Sequence, residues 1–168
     1  MVLIIFGVSG AGKTTVGKLL ARKLGWKFIE ADNLHSAANI DKMRRGEPLT
    51  DEERQPWLEK LRDAIKESLD KNENAVLACS ALKRKYRDRL RVTDQVKFVF
   101  LRGSREQVAE QLRGRRGHFF SPDLLASQFA DLEEPTPVED ALTVNLGAGP
   151  AEVVDTIRHK VKLRKQTG

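Results

Sequence analysis

Residues 7–14 read Gly-Val-Ser-Gly-Ala-Gly-Lys-Thr, and this stretch decides the fold. It matches the pattern G-x-x-x-x-G-K-[ST] at every fixed position. Such a loop wraps around phosphate groups because its glycines permit backbone conformations that aim several N–H groups at one anion. The apolar run Val2–Val8 leads into the loop, and residues with helical spacing follow it. The stretch therefore predicts a strand, a phosphate-binding loop and a helix, in that order.

Two side chains of this loop have predicted roles of their own. The Lys13 ammonium can reach the β- and γ-phosphates of a nucleotide, and the Thr14 hydroxyl can ligate Mg²⁺. The positive end of the following helix also favours an anion. The sequence thus predicts ATP and Mg²⁺ as cofactors, with Lys13 catalytic and Thr14 a metal ligand. The predicted nucleotide contacts are Gly7, Ser9, Gly10, Ala11, Gly12, Lys13, Thr14 and Thr15.

Apolar runs alternate with helical patterns along the chain. The strand-like runs are Val2–Val8, Lys27–Ala31, Ala75–Ala81, Lys97–Leu101 and Leu142–Leu146. This alternation predicts an α/β fold in which helices cover both faces of a parallel sheet. Helix starts are predicted at Thr50-Asp51 and at Ser121-Pro122-Asp123. We expect one domain over residues 1–168, with a frayed tail at 163–168.

Composition limits the location and the partners. The net charge of +6 and the pI near 9.6 suit anionic small molecules as well as nucleic acid. Only 6% of residues are aromatic and they do not interleave with basic ones, which argues against nucleic acid as the main partner. Cys79 is the single cysteine, which fits a reducing compartment. No apolar run approaches the ~20 residues that span a bilayer. We expect a cytoplasmic protein with no membrane partner.

Two acidic residues, Glu30 and Asp32, close the second predicted strand. The carboxyl ends of parallel strands converge on the ligand crevice, so Asp32 is expected beside the γ-phosphate, where it can hold and deprotonate an acceptor hydroxyl. The alternative is an acid that caps the next turn. The N-K-x-D run of GTPases is absent, and the strand Ala75–Ala81 ends in Cys-Ser-Ala instead of the acidic pair of motor-type ATPases. These features favour a small-molecule kinase.

Several further blocks carry a resemblance to one family. Together with the phosphate loop they resemble the gluconate kinases (gluconokinases), within the shikimate and nucleoside-monophosphate kinase-like P-loop group. The similarity covers residues 2 to 135, and its most specific parts are Cys79–Asp88 and Gly117–Phe120. In chain order the further blocks are Ala31–His35, Asn39–Met43, Gly46–Asp51, Arg54–Leu58, Cys79–Asp88, Gly117–Phe120 and Ser127–Phe129.

The resemblance implies transfer of the γ-phosphoryl group of ATP to the 6-hydroxyl of D-gluconate, giving 6-phospho-D-gluconate. It also implies a five-stranded parallel sheet in the order 2-3-1-4-5, a mobile lid over about 112–125, and a possible homodimer. Family members commonly have Asp where this chain has Glu30, which leaves the metal role of Glu30 open. Many have arginine near Gln111; if that arginine aids transfer, Arg113, Arg115 or Arg116 must substitute for it here, and Arg115 is the best match to the family pattern. Arg115 is accordingly predicted to be catalytic and to bind nucleotide.

A polyhydroxy carboxylate needs cations for its carboxylate and polar groups for its hydroxyls. Arginine grips a carboxylate through two parallel hydrogen bonds. Lys83 and Arg87 are four residues apart and were expected to share one helix face. For each of these groups the alternative is an ordinary solvated side chain, or for His35 a bond within its own loop. The predicted substrate-binding residues are Asp32, His35, Arg54, Lys83, Arg87, His118 and Gln128.

Two other functions remain open at this point. One is a kinase of the same fold for another small acid or sugar such as shikimate, although the Cys-Ser-Ala-Leu turn at Cys79 differs from the Gly-rich turn of those enzymes. The other is a basic, nucleotide-dependent nucleic-acid-binding module, which salt-dependent oligonucleotide binding would reveal.

Overall fold

The computed structural model describes residues 1–114 and 122–162. Its centre is a parallel sheet of five strands in the order β2-β3-β1-β4-β5, which confirms the predicted order. Each strand lies within a few residues of a predicted run. The strands are β1 (Val2–Phe6), β2 (Lys27–Glu30), β3 (Ala75–Ala78), β4 (Val96–Arg102) and β5 (Leu142–Asn145).

Helices connect successive strands and cover both faces of the sheet. The helix starts predicted at Thr50-Asp51 and at Pro122 are confirmed, and Thr50 closes a capping box with Glu53 that satisfies two backbone N–H groups. Short 3₁₀ turns occur at Ala31–Leu34 and Pro137–Glu139. The helices are α1 (Lys13–Leu24), α2 (Ala37–Arg44), α3 (Asp51–Asp70), α4 (Arg84–Leu90), α5 (Arg105–Arg113), α6 (Pro122–Asp131) and α7 (Pro150–Val161).

Strand β1 separates two hydrophobic cores. Its residues are all fully buried, as expected for a central strand with helices on both sides. Leu3 and Ile5 point into the core under α1 and α7, whereas Val2, Ile4 and Phe6 point into the core under α3 and α4. This alternation fixes the register of the strand, because a slip of one residue would exchange the two cores.

The end of β1 delivers the chain into the phosphate loop. The Gly7 N–H donates to the Ser80 carbonyl at 3.3 Å, which ties the loop to the end of β3. A Cβ at Gly7 would lie 2.8 Å from the Leu101 carbonyl oxygen of β4, so a larger residue does not fit. The loop therefore sits at the carboxyl edge of the sheet, between its two neighbouring strands.

Parts of the predicted lid and tail lie outside the described residues. The lid was expected over about 112–125, and the structure describes its two flanks, the end of α5 and the start of α6. The predicted tail at 163–168 is also outside the described part. Within the described ranges, every helix is too short or too polar to cross a bilayer.

Candidate active site

A cleft of about 440 Å³ opens at the carboxyl edge of the sheet. The cleft is lined by the phosphate loop, by the turn after β2, and by side chains of α3, α4 and α6. The cleft therefore joins a predicted phosphate site to a second, polar site. The predicted site residues that line the cleft include Lys13, Thr14, Asp32, His35, Arg54 and Gln128.

The phosphate loop presents the unsatisfied end of a helix to this cleft. Gly10 and Gly12 have left-handed backbone angles (φ 86° and 95°), which side chains disfavour. Gly12 is the N-cap of α1, and as a glycine it offers no side-chain oxygen to cap the helix. The Lys13 ammonium folds back onto the loop and donates to the carbonyls of Gly7 (2.7 Å) and Val8 (3.1 Å). This arrangement suits a bound anion.

Gln128 of α6 is bonded to the same loop. Its Oε1 accepts from the Ser9 N–H at 2.7 Å, and its Nε2 donates to the Ser9 Oγ at 3.0 Å. The amide thus occupies both polar groups of Ser9. The structure therefore places Gln128, a predicted substrate residue, against the phosphate loop at the wall of the cleft.

Thr14 and Glu30 form the predicted metal side of the cleft. The Thr14 hydroxyl donates to Glu30 Oε2 at 2.5 Å. Burial, opposed by this hydrogen bond, raises the pKa of Glu30, and the nearby Asp32 charge adds to the rise. Hydroxyl and carboxylate oxygens are suitable ligands for Mg²⁺, so the donor set fits the ion. Among the described residues no three His, Cys, Asp or Glu side chains cluster, so the ion would take further ligands from phosphate and water.

Asp32 lies on the side of the cleft where the phosphoryl acceptor is predicted to bind, here called the acceptor side. It lies exposed in the 3₁₀ turn that follows β2, and this turn is anchored by the Trp57 indole N–H, which donates to the Ala31 carbonyl at 2.8 Å. The His35 ring stacks on the Trp57 ring with centroids 4.4 Å apart. Burial lowers the pKa of His35 to about 4, the Asp32 charge opposing and the Arg54 charge assisting. His35 is therefore a neutral ring at pH 7.

Arg54 is the cation of this acceptor side. Its Nη1 donates to the Tyr86 hydroxyl at 3.0 Å, and its guanidinium lies 5.6 Å from the Tyr86 ring centroid. The Tyr86 hydroxyl in turn donates to Asp51. Sequence reasoning assigned no role to Tyr86 or Asp51. Both residues lie in blocks that resemble the family, but nothing in their spacing along the sequence indicated that they meet beside the cleft.

The structure corrects the prediction for Arg87. Its side chain is 1% exposed, pairs with Glu139 at 2.7 Å, and donates to the carbonyls of Ala81, Leu82 and Glu133. The guanidinium lies over the Phe6 ring, inside the core, and its donors are taken up by the protein. The expectation failed because successive helical residues are turned by about 100°, so Tyr86 faces the cleft and Arg87 faces the core.

Four other predicted residues are Lys83, Thr15, Arg115 and His118, and the last two lie outside the described residues. Lys83 precedes α4 as its N-cap and binds Asp51 at 3.1 Å; it is absent from the cleft wall, so direct substrate contact is not supported. Thr15 is exposed and is the third residue of α1.

Comparison with known proteins gives the family. The family model for shikimate kinase matches residues 9–134. A gluconokinase from Gluconobacter oxydans (strain 621H) is 46% identical over 94% of this chain and 89% of its own. The chain belongs to the gluconokinase family.

Solved structures agree with this assignment. A gluconokinase from Sinorhizobium meliloti 1021 is 44% identical, with a TM-score of 0.80 over 91% of this chain and 86% of that one. An unliganded sugar kinase from Janibacter sp. HTCC2649 is 39% identical, with a TM-score of 0.90 over 96% and 94%. These two solved structures are thus similar to this chain in both sequence and backbone arrangement.

Proposed function

We propose that this protein transfers the γ-phosphoryl group of ATP to the 6-hydroxyl of D-gluconate, giving 6-phospho-D-gluconate and ADP. The observation that carries the proposal is one cleft that joins the phosphate loop to a carboxylate, Asp32, and a cation, Arg54. The gluconokinase relatives support the choice of acceptor.

The phosphate loop would hold the nucleotide. On binding, the Lys13 ammonium would exchange its loop carbonyls for the β- and γ-phosphates and stabilise charge on the transferring group. Mg²⁺ would be held by the Thr14 hydroxyl, with Glu30 orienting that hydroxyl, and would neutralise phosphate charge. Gln128 would leave Ser9 and turn toward the substrates, because the same Ser9 N–H is then required by phosphate oxygens.

Asp32 would act on the acceptor. Its exposed carboxylate would accept the proton of the 6-hydroxyl while that oxygen attacks the γ-phosphorus and the bond to the ADP oxygen breaks. The proton then leaves to solvent from Asp32. Neighbouring His35 is neutral at pH 7, so its ring would offer one hydrogen-bond donor and one acceptor to hydroxyl groups of the acceptor.

Arg54 would bind the carboxylate at the far end of the acceptor. Arginine presents parallel N–H donors that match a carboxylate, and the side chain is only 18% exposed, which strengthens the interaction. Arg115 and His118 would complete the site from the lid. The resemblance also supports a homodimer and a cytoplasmic location as parts of this proposal.

A coupled ADP-release screen over gluconate, shikimate, neutral sugars and nucleoside monophosphates tests the function. We expect gluconate to stimulate ADP release most, with a product whose phosphorus signal is split by the C6 protons. Stimulation by shikimate alone would replace the proposal with the second candidate, which the shikimate kinase family model favours. Stimulation by no small molecule, together with salt-dependent oligonucleotide binding, would refute both.

A further inference from the structure

Asp51 is surrounded by donors from one short segment of chain. It is the first residue of α3, and its carboxylate accepts from Lys83 Nζ (3.1 Å), Lys85 Nζ (2.6 Å) and the Tyr86 hydroxyl. The N-terminus of α3 is capped by Thr50 and Glu53, so the cap of this helix does not use the Asp51 carboxylate. The hydrogen bonds to Asp51 therefore have a role other than capping α3.

The direction of the hydrogen bonds in this cluster is fixed by chemistry. A guanidinium only donates, so the Tyr86 oxygen accepts from Arg54 Nη1. A phenol carries one hydroxyl hydrogen, and this hydrogen points at Asp51. The chain Asp51, Tyr86, Arg54 is thus a relay with one polarity, and it ends on the cation that lines the acceptor side of the cleft.

The charges around Arg54 need to be balanced for it to bind a second carboxylate. Its nitrogens lie 3.8 Å from Asp51 and 4.0 Å from Asp131, longer than charged hydrogen bonds. The two lysines satisfy Asp51 at shorter distances. Hydrogen bonds from Lys85, Tyr86 and Lys83, in that order, hold the pKa of Asp51 well below its usual range, so its charge is permanent at working pH.

We propose that Tyr86 and Asp51 position Arg54 for the carboxylate of the acceptor, and that Lys83 and Lys85 prevent Asp51 from pairing with Arg54 itself. The inference rests on the proposed function and adds two positioning residues and two lysines to it. It also gives Lys83 an indirect role in place of the substrate contact expected from the sequence.

The first test is a double-mutant cycle on Tyr86 and Arg54. Tyr86→Phe removes one hydroxyl and keeps the ring, and we expect the KM for gluconate to rise about tenfold, as for loss of one hydrogen bond to a charged group. The kcat and the KM for ATP should stay within about twofold. In an Arg54→Met background the same change should have no further effect on the KM for gluconate, because the guanidinium that the Tyr86 hydroxyl positions is then absent.

The second test uses surface lysines, which tolerate substitution without loss of the fold. Lys85→Met should raise the KM for gluconate about threefold, because Asp51 would then pair with Arg54 and compete with the carboxylate of the acceptor. The matched control is Arg84→Met, the neighbouring residue, which pairs with Asp88 at 3.7 Å on the exposed side of α4 and should leave both constants unchanged.

Three results would overturn the inference: an unchanged KM in Tyr86→Phe, an equal effect of Tyr86→Phe with and without Arg54, or a parallel rise in the KM for ATP. Absence of gluconate turnover by the wild type overturns the proposed function instead. In that event the cycle is measured with the acidic acceptor found in the ADP-release screen, and the same three results decide it.

Discussion

Thr14 and Glu30 are joined by a hydrogen bond of 2.5 Å from the threonine Oγ1 to a carboxylate oxygen. The bond links the first turn of α1 to the end of β2. It directs the hydroxyl hydrogen at Glu30, which leaves the lone pairs of the Thr14 oxygen for a metal ion. In the proposed metal site Glu30 would thus orient the hydroxyl of Thr14 toward the ion.

Glu30→Gln should change the requirement for Mg²⁺. The amide oxygen can still accept from Thr14, but the negative charge is lost. We expect the Mg²⁺ concentration at half-maximal rate to rise about tenfold, with kcat recovered at saturating Mg²⁺. Initial rates across a Mg²⁺ titration measure this. Glu67→Gln, on the exposed face of α3, is the control. An unchanged Mg²⁺ requirement would contradict a role at the metal.

Lys13→Ala should nearly abolish turnover and leave the fold intact. In the proposed mechanism the ammonium stabilises the charge that accumulates on the transferring phosphoryl group, and such a group contributes about 10²–10³ in rate. Steady-state kinetics with a circular dichroism check measure both effects. Lys23→Ala is the matched control, because Lys23 lies in the last turn of α1 and pairs with Asp155 of α7 at 3.6 Å, away from the phosphate loop. A Lys13→Ala enzyme within about threefold of wild type would exclude the phosphate-loop mechanism.

Asp32→Asn separates two roles of this carboxylate. If Asp32 accepts the proton of the 6-hydroxyl, kcat should fall by about 10²–10⁴ while ATP binding survives. If it acts through Mg²⁺, raised Mg²⁺ should partly restore the rate and ATP affinity should fall. Gluconate turnover and ATP binding are therefore measured across a Mg²⁺ titration. Near-normal turnover at ordinary Mg²⁺ would return Asp32 to the role of a turn cap.

His35 should make stability depend on pH. Burial lowers its pKa to about 4, against 6.5 in the unfolded chain, so the unfolded state binds the proton first as pH falls. The contribution is complete above pH 6.5 and is lost between 6.5 and 4, by up to about 3 kcal/mol. Urea unfolding measured across this pH range should show that the free energy of unfolding depends less steeply on pH in His35→Gln than in the wild type. His159→Gln, on the exposed face of α7, should keep the wild-type slope.

Arg87→Met should lower the free energy of unfolding by about 3–5 kcal/mol, because it leaves the buried Glu139 carboxylate without its partner. Arg87→Met combined with Glu139→Leu should cost less than the two single changes added together. Urea denaturation of the four proteins measures this coupling. Unchanged stability with a raised KM for gluconate would instead restore Arg87 as a substrate residue.

The sequence was sufficient for the sheet because local patterns and the phosphate loop agreed. Runs of buried residues, Pro122 at a helix start and the Thr50 cap each act within a few residues, so they are readable without tertiary contacts. Gly7 to Thr14 then fixed which end of the sheet carries the cleft.

The acceptor side was less readable because it depends on helix rotation. Lys83 and Arg87 have the spacing of neighbours on one helix face, yet α4 starts at Arg84 and its rotation buries Arg87 beside Glu139. That rotation is set by packing of Tyr86 and Leu90 under α3, which the local sequence does not specify. The partners Asp51 and Tyr86 lie 35 residues apart and meet only in the folded chain.

The central position of β1 also sets the order in which the protein can be completed during synthesis. Of the five strands, β1 leaves the ribosome before the others, but its two neighbours begin only at Ala75 and Val96. Gly7 is bonded to the Ser80 carbonyl and lies close to the Leu101 carbonyl. A nascent chain that has not yet reached Leu101 therefore has no finished phosphate loop and exposes an apolar strand with an open edge, a stage at which chaperones protect such chains.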